Sequence, residues 1–78
     1  MSSERDEVTR NIIEIVGTAT RCDLVDEESS QLTVAQWDSL AYMLIVSEVE
    51  LKYDLNINQD NIGMFTSIHS IVGLVVDS

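Results

Sequence analysis

The chain has 78 residues, 14 of them acidic and 4 basic, for a formal charge of −10. So small a chain holds one domain with one modest core, and its charge repels nucleic acid and anionic membrane while favouring partners with basic surfaces. Hydrophobic residues make up 45% of it, which suits a folded domain and excludes an acidic disordered tail.

A single cysteine rules out an intramolecular disulfide. The opening "MSSERDEVTR" is polar, and no apolar run reaches the length of a signal h-region or a membrane span. The expectation is a soluble, cytoplasmic monomer forming one domain over residues 1–78.

Proline is absent, so the strongest helix breaker is missing throughout. Val8, Ile12, Ile15, Val16 and Ala19 recur at three- and four-residue spacing and predict an amphipathic helix from about Ser3 to Thr20. Ser3, Asp6 and Glu7 supply a cap and negative charge at its start. From Arg21 to Trp37 the period is lost. This segment reads as a long ordered loop pinned to the core by Leu24, Val25, Leu32 and Val34, and loops of that length are often functional.

Asp38 or Ser39 opens a second helix that runs to about Tyr53 or Asp54. Stepping about 100° per residue separates two apolar stripes on it. One carries Tyr42, Ile45, Val46, Val49 and Tyr53; the other carries Leu40, Met43, Leu44 and Leu51, with Ser47 among them. A helix on the outside of a small bundle needs one apolar face, so the second is either buried as well or meets something outside the domain.

"NINQDNIGMF" is a polar connection anchored by Ile57, Ile62 and Phe65, with room for one helical turn near Asp60 to Gly63. Thr66 or Ser67 then caps a last helix with Ile68, Ile71, Val72 and Val75 on its inner face. The predicted fold is all-α: a small antiparallel bundle of three to four helices with a long loop between the first two.

Enzymatic chemistry finds little footing in these residues. A nucleophilic Ser39 needs a base, and the single histidine, His69, follows Ile68 in the last helix and reads as a surface residue. No strand–turn–helix elbow surrounds Ser39, and so small a bundle has little room for a cleft. Asp54, Asn56, Asn58 and Asp60 alternate like the start of a calcium loop, but Gln59 stands where the turn needs glycine and Phe65 where a bidentate glutamate is needed. Cys22 has no second thiol to found a zinc site. Neither catalytic residues nor a metal site is expected.

Ser39 has a different aptitude. Backbone N–H groups and the macrodipole at a helix N-terminus favour a negative group, and a phosphate ester is one. The tripeptide "DSL" alone fits an ordinary helix cap equally well.

The whole arrangement resembles an acyl carrier protein of the phosphopantetheine-binding family. The resemblance spans nearly the full chain: the amphipathic first helix, the long loop, "DSL", "EVELKY", "INQDNI" and "TSIHSIVGLV". It runs without a gap from Ser39 to Val75, with the family's core positions on Ile45, Val49, Tyr53, Ile57, Ile62, Ile68 and Val72.

The resemblance implies that Ser39 accepts 4′-phosphopantetheine from coenzyme A, attached by a magnesium-dependent phosphopantetheinyl transferase. The thiol of that arm holds an acyl or aminoacyl group as a thioester, and the carrier itself catalyses nothing. Its implied partners are the transferase, a loading ligase or acyltransferase, and a downstream synthase. The implied docking residues are Leu40, Met43, Leu44, Ser47 and Leu51, flanked by Asp38 and Glu48 and joined by Trp37 and Ile62. The alternative is that this stripe packs on the first loop, at Leu32 or Trp37.

Gln36 stands where the fatty-acid members of the family usually have glycine, and Leu44 and Leu51 stand where they carry acids. Charge is moved instead to Asp26, Glu27 and Glu28 in the loop. These departures point to a free-standing carrier in one specialised pathway: polyketide, nonribosomal peptide or sugar-polymer assembly. A carrier-like scaffold that is never loaded is the competing reading, and the intact hydroxyl of "DSL" weighs against it.

Overall fold

Helices form where the 3.6-residue period runs: α1 (Ser2–Thr20), α2 (Ser39–Tyr53) and α3 (Ile68–Asp77), with one 3-10 turn at Ile62–Met64. The computed structural model describes residues 2–77. The cap expected from Ser3 lies outside the described side chains.

Along α1, Val8, Ile12 and Val16 are buried at four-residue intervals, with Ile15 and Ala19 partly buried beside them. The helix ends at Arg21, whose φ of 57° is left-handed, and the Cys22 N–H then donates to the Gly17 carbonyl at 3.1 Å. This is the backbone closure that ends many helices. A Cβ at Gly17 would sit 3.3 Å from the Cys22 carbonyl oxygen, so glycine there lets the chain fold back closely.

Helix α2 runs antiparallel to α1. Asn11 on α1 donates to the Tyr53 hydroxyl at the far end of α2 at 3.1 Å, while Thr18 and Ala19 share a groove with Leu44 and Glu48 nearer the start of α2. Helix α1 also packs on α3, which makes it the common wall of the bundle. Ile12, Val16, Ile45, Val49, Phe65, Ile68, Ile71 and Val72 are the largest fully buried side chains. Burying each is worth about 1.5–3 kcal/mol relative to exposure. The Cα radius of gyration, 11.3 Å, matches the roughly 11.5 Å expected of a compact domain of this length.

The loop between α1 and α2 is anchored differently from expectation. Val34 is buried and Val25 partly so, but Leu24 is 85% and Leu32 97% exposed. The strongest apolar anchor is Trp37, only 3% exposed. Main-chain pairing holds the rest: the Gln31 N–H donates to the Thr66 carbonyl at 2.8 Å and the Ile68 N–H to the Ser29 carbonyl at 3.1 Å. Two tight turns flank this pairing. In one, the Asp26 carboxylate accepts from the Glu28 N–H and the Asp26 carbonyl from the Ser29 N–H; in the other, the Ser30 carbonyl accepts from the Thr33 and Val34 N–H groups. A loop fastened through its backbone can turn leucines outward, and it does so at positions 24 and 32.

In the second connection Phe65 is fully buried and Ile57 and Ile62 are partly buried. The helical turn falls at Ile62–Met64, slightly later than the expected Asp60 to Gly63. The alternating polar residues shape the turn: Asn61 Oδ1 accepts from the Asn58 N–H at 2.8 Å, and Asn58 Oδ1 from the Asp60 N–H at 2.9 Å. Ser67 caps α3 by accepting from the Ser70 N–H at 3.1 Å, and Ile68, Ile71, Val72 and Val75 form its buried face. Among the described residues no helix is long and apolar enough to cross a membrane.

Gly73 sits inside α3, and a Cβ there would meet no atom within 4 Å. Gly73→Ala is therefore expected to raise unfolding stability by about 0.5–1 kcal/mol. Urea denaturation measures it, and an unchanged or lower midpoint contradicts the expectation.

Candidate functional site at the start of α2

The first turn of α2 divides two duties between adjacent residues. Asp38 is extended, at φ −98° and ψ −170°, and its Oδ1 accepts from the Ala41 N–H at 3.0 Å. Its carbonyl accepts from the Tyr42 N–H at 2.8 Å. Asp38 is thus the N-cap, and Ser39 is the first residue of the helix proper. Ser39 is exposed, and its hydroxyl makes no hydrogen bond among the described residues. At the first helical positions the N–H groups of Ser39 and Leu40 have no acceptor within the helix, and the helix dipole presents its positive end there. A phosphate esterified to Ser39 fits these surroundings, because unspent N–H donors and a favourable dipole lie beside the hydroxyl.

The two stripes of α2 separate cleanly. Ala41, Ile45, Val46 and Val49 are its buried residues, and Tyr42 and Tyr53 are partly buried at the edges of that face. On the other side Leu40 is 72%, Met43 58%, Leu44 46% and Leu51 80% exposed. Ser47 and Glu48 are exposed with them. The alternative that this stripe is buried against Leu32 or Trp37 fails, since its own side chains are exposed and Leu32 is too. Four large apolar side chains exposed on one helix mark a surface suited to a partner.

Trp37 is a correction to the expected docking set. Buried to all but 3%, it faces the core and offers no ring to an incoming protein. Its position beside Ser39 misleads: Trp37 closes the turn in which its N–H donates to the Val34 carbonyl, and the exposed residues begin only beyond it, at Asp38, Ser39 and Leu40. Gln31 Nε2 donates to the Trp37 carbonyl at 3.4 Å, while the indole Nε1 is buried without a partner among the described residues. Ile62 is half-buried, and its carbonyl accepts a hydrogen bond from the Tyr42 hydroxyl.

Other expected residues lie elsewhere. His69 is exposed, with Nε2 3.6 Å from Glu28 Oε2, so its polar neighbour is a loop carboxylate. Cys22 is a half-buried free thiol at the end of α1. Among the described residues no three His, Cys, Asp or Glu side chains gather in a way that could hold a metal ion. A cleft of about 610 Å³ lies between α1 and the loop and is lined by Asp6, Thr9, Arg10, Ile13, Asp26 and Glu27, none of them a predicted site residue. A smaller groove of about 290 Å³ does reach the α2 face at Leu44 and Glu48.

Sequence reasoning overlooked Ala41, a core residue on the same turn as Ser39. At about 100° past Leu40 it falls between the two stripes, and its small side chain gave no sign of which side it joins. Comparison with protein-family models, curated proteins and solved structures found no match to the chain.

Proposed function

We propose that the chain is an acyl or aminoacyl carrier domain, with Ser39 as the attachment point for a 4′-phosphopantetheine arm. One observation carries the reading: Asp38 does the capping, so the Ser39 hydroxyl is exposed and unengaged at the head of a helix with an exposed apolar face. When attached, the arm supplies a terminal thiol able to hold a carboxylic acid as a thioester. This chain's own residues do the rest. Ser39 Oγ is the acceptor, the N–H groups of the first turn neutralise the ester phosphate, and Leu40, Met43, Leu44 and Leu51 present the surface on which partner enzymes seat. Those partners are a phosphopantetheinyl transferase, a loading ligase or acyltransferase, and a downstream synthase.

The apolar character of this face, with leucine at 44 and 51, favours polyketide, nonribosomal peptide or related specialised assembly. Incubation with coenzyme A, magnesium and a broad-specificity transferase is expected to add one phosphopantetheine mass to the wild type and none to Ser39→Ala. Absence of an adduct on the wild type would leave the unloaded scaffold as the better reading.

The face itself gives a second test. Leu51 is 80% exposed, so Leu51→Glu is expected to keep full helicity by circular dichroism while slowing loading by the transferase about tenfold or more, the effect of losing an apolar anchor worth at least 1.4 kcal/mol. Unfolding of this variant would mean that the leucine is packed.

A further inference from the structure

We infer that the groove between α1 and α2 is a second contact site for a partner protein, one that takes an aliphatic side chain flanked by arginine or lysine. The inference rests on the reading of α2 as the helix that partners touch, and it carries that surface onto α1. The groove is lined by Glu14, Ile15, Thr18 and Ala19 from α1 and by Leu44 and Glu48 from α2, and holds about 290 Å³. That is just below the roughly 300–1,000 Å³ of small-molecule sites, and suits one or two inserted side chains better than a free ligand.

Its chemistry narrows the occupant. Ile15, Ala19 and Leu44 are apolar, and none of the three is fully buried by the fold. Glu14 and Glu48 are exposed, and neither forms an ion pair among the described residues. No cation lines the groove. Two uncompensated carboxylates beside an apolar recess complement a hydrophobic side chain with a basic neighbour. A second copy of this chain, at a formal charge of −10, would bring like charge to the same place and is disfavoured. Leu44 belongs both to the groove and to the exposed face of α2, so the two surfaces are continuous.

The test titrates the ¹⁵N-labelled full chain with a synthetic helical peptide that carries leucines four residues apart flanked by arginines. A control peptide has the arginines replaced by glutamates. Amide shift changes are expected to concentrate at Ile15, Thr18, Ala19 and Leu44, and the control is expected not to bind. Thr18 is exposed on α1, so Thr18→Arg is expected to weaken binding about tenfold with an unchanged circular dichroism spectrum.

Shifts spread evenly over distant acids such as Asp26 and Glu27, shifts confined to Leu40, Met43 and Leu51, or unchanged affinity in Thr18→Arg would each overturn the groove. Loading of Ser39 is followed by mass on the same preparations. Full loading without groove binding overturns this inference alone, whereas a wild type that takes no arm overturns the carrier reading whatever the peptide does.

Discussion

Trp37→Ala is expected to cost about 3–5 kcal/mol of unfolding free energy, the usual penalty for emptying a buried aromatic site. At roughly 0.05–0.15 kcal/mol per residue a domain of 78 residues has about 4–12 kcal/mol in all, so the variant loses much of its folded population. The effect is large because the indole is 3% exposed and joins the end of the long loop to the core, where Leu24 and Leu32 contribute no burial. Trp37→Phe separates packing from polarity. The indole Nε1 is buried with no hydrogen-bond partner among the described residues, a state that costs about 1–3 kcal/mol. Phenylalanine removes that N–H while leaving a smaller cavity than alanine, so the two effects offset and Trp37→Phe is expected to stay within about 1 kcal/mol of the wild type. Urea unfolding followed by circular dichroism reads both variants without relying on tryptophan emission. Full stability in Trp37→Ala would mean that backbone pairing alone holds the loop, and equal damage from both substitutions would mean that the N–H is satisfied.

The helices were readable from sequence because an apolar residue every three or four positions has only one way to be buried. Val8, Ile12 and Val16 on α1, and Ile68, Ile71, Val72 and Val75 on α3, all lie inside as that period requires. The two stripes of α2 were separable for the same reason; which of them faces the core was open from the period alone, and the burial of Ala41, Ile45, Val46 and Val49 decides it.

The loop had no period, so nothing in its composition said which apolar residues turn inward. Leu24 and Leu32 stand among acids, serines and glutamine as Val25 and Val34 do, and the backbone pairing of Ser29 with Ile68 and of Gln31 with Thr66 fastens the loop without the two leucines. That pairing joins segments far apart in sequence. Trp37 stood in the docking set as part of what the resemblance implies, and no period in the loop marked it as the core residue it is. The choice between Asp38 and Ser39 as cap was likewise open, since both side chains accept from helix N–H groups well; the extended backbone of Asp38 decides it.

That division of labour makes the sharpest functional prediction a contrast between neighbours. Ser39→Ala removes the proposed acceptor oxygen, so loading by the transferase is expected to fall from one arm per chain to none. Its stability is expected to hold or rise by about 0.5 kcal/mol, because alanine is the better helix former and the hydroxyl makes no hydrogen bond among the described residues. Asp38→Ala does the reverse. It frees the Ala41 N–H, and loss of an N-cap costs about 0.5–2 kcal/mol. For a domain of this size about 1 kcal/mol lowers the melting temperature by about 4–8 °C.

The acceptor hydroxyl remains in Asp38→Ala, so an arm still attaches, more slowly if the transferase also contacts the lost carboxylate. Thermal unfolding and intact mass on the two variants therefore move in opposite directions. If Ser39 were only a helix cap the order would invert: Ser39→Ala would melt several degrees lower, and the wild type would take no arm for the substitution to remove. Loading and stability together separate the two roles because they report on different atoms, the Oγ of Ser39 and the Oδ1 of Asp38.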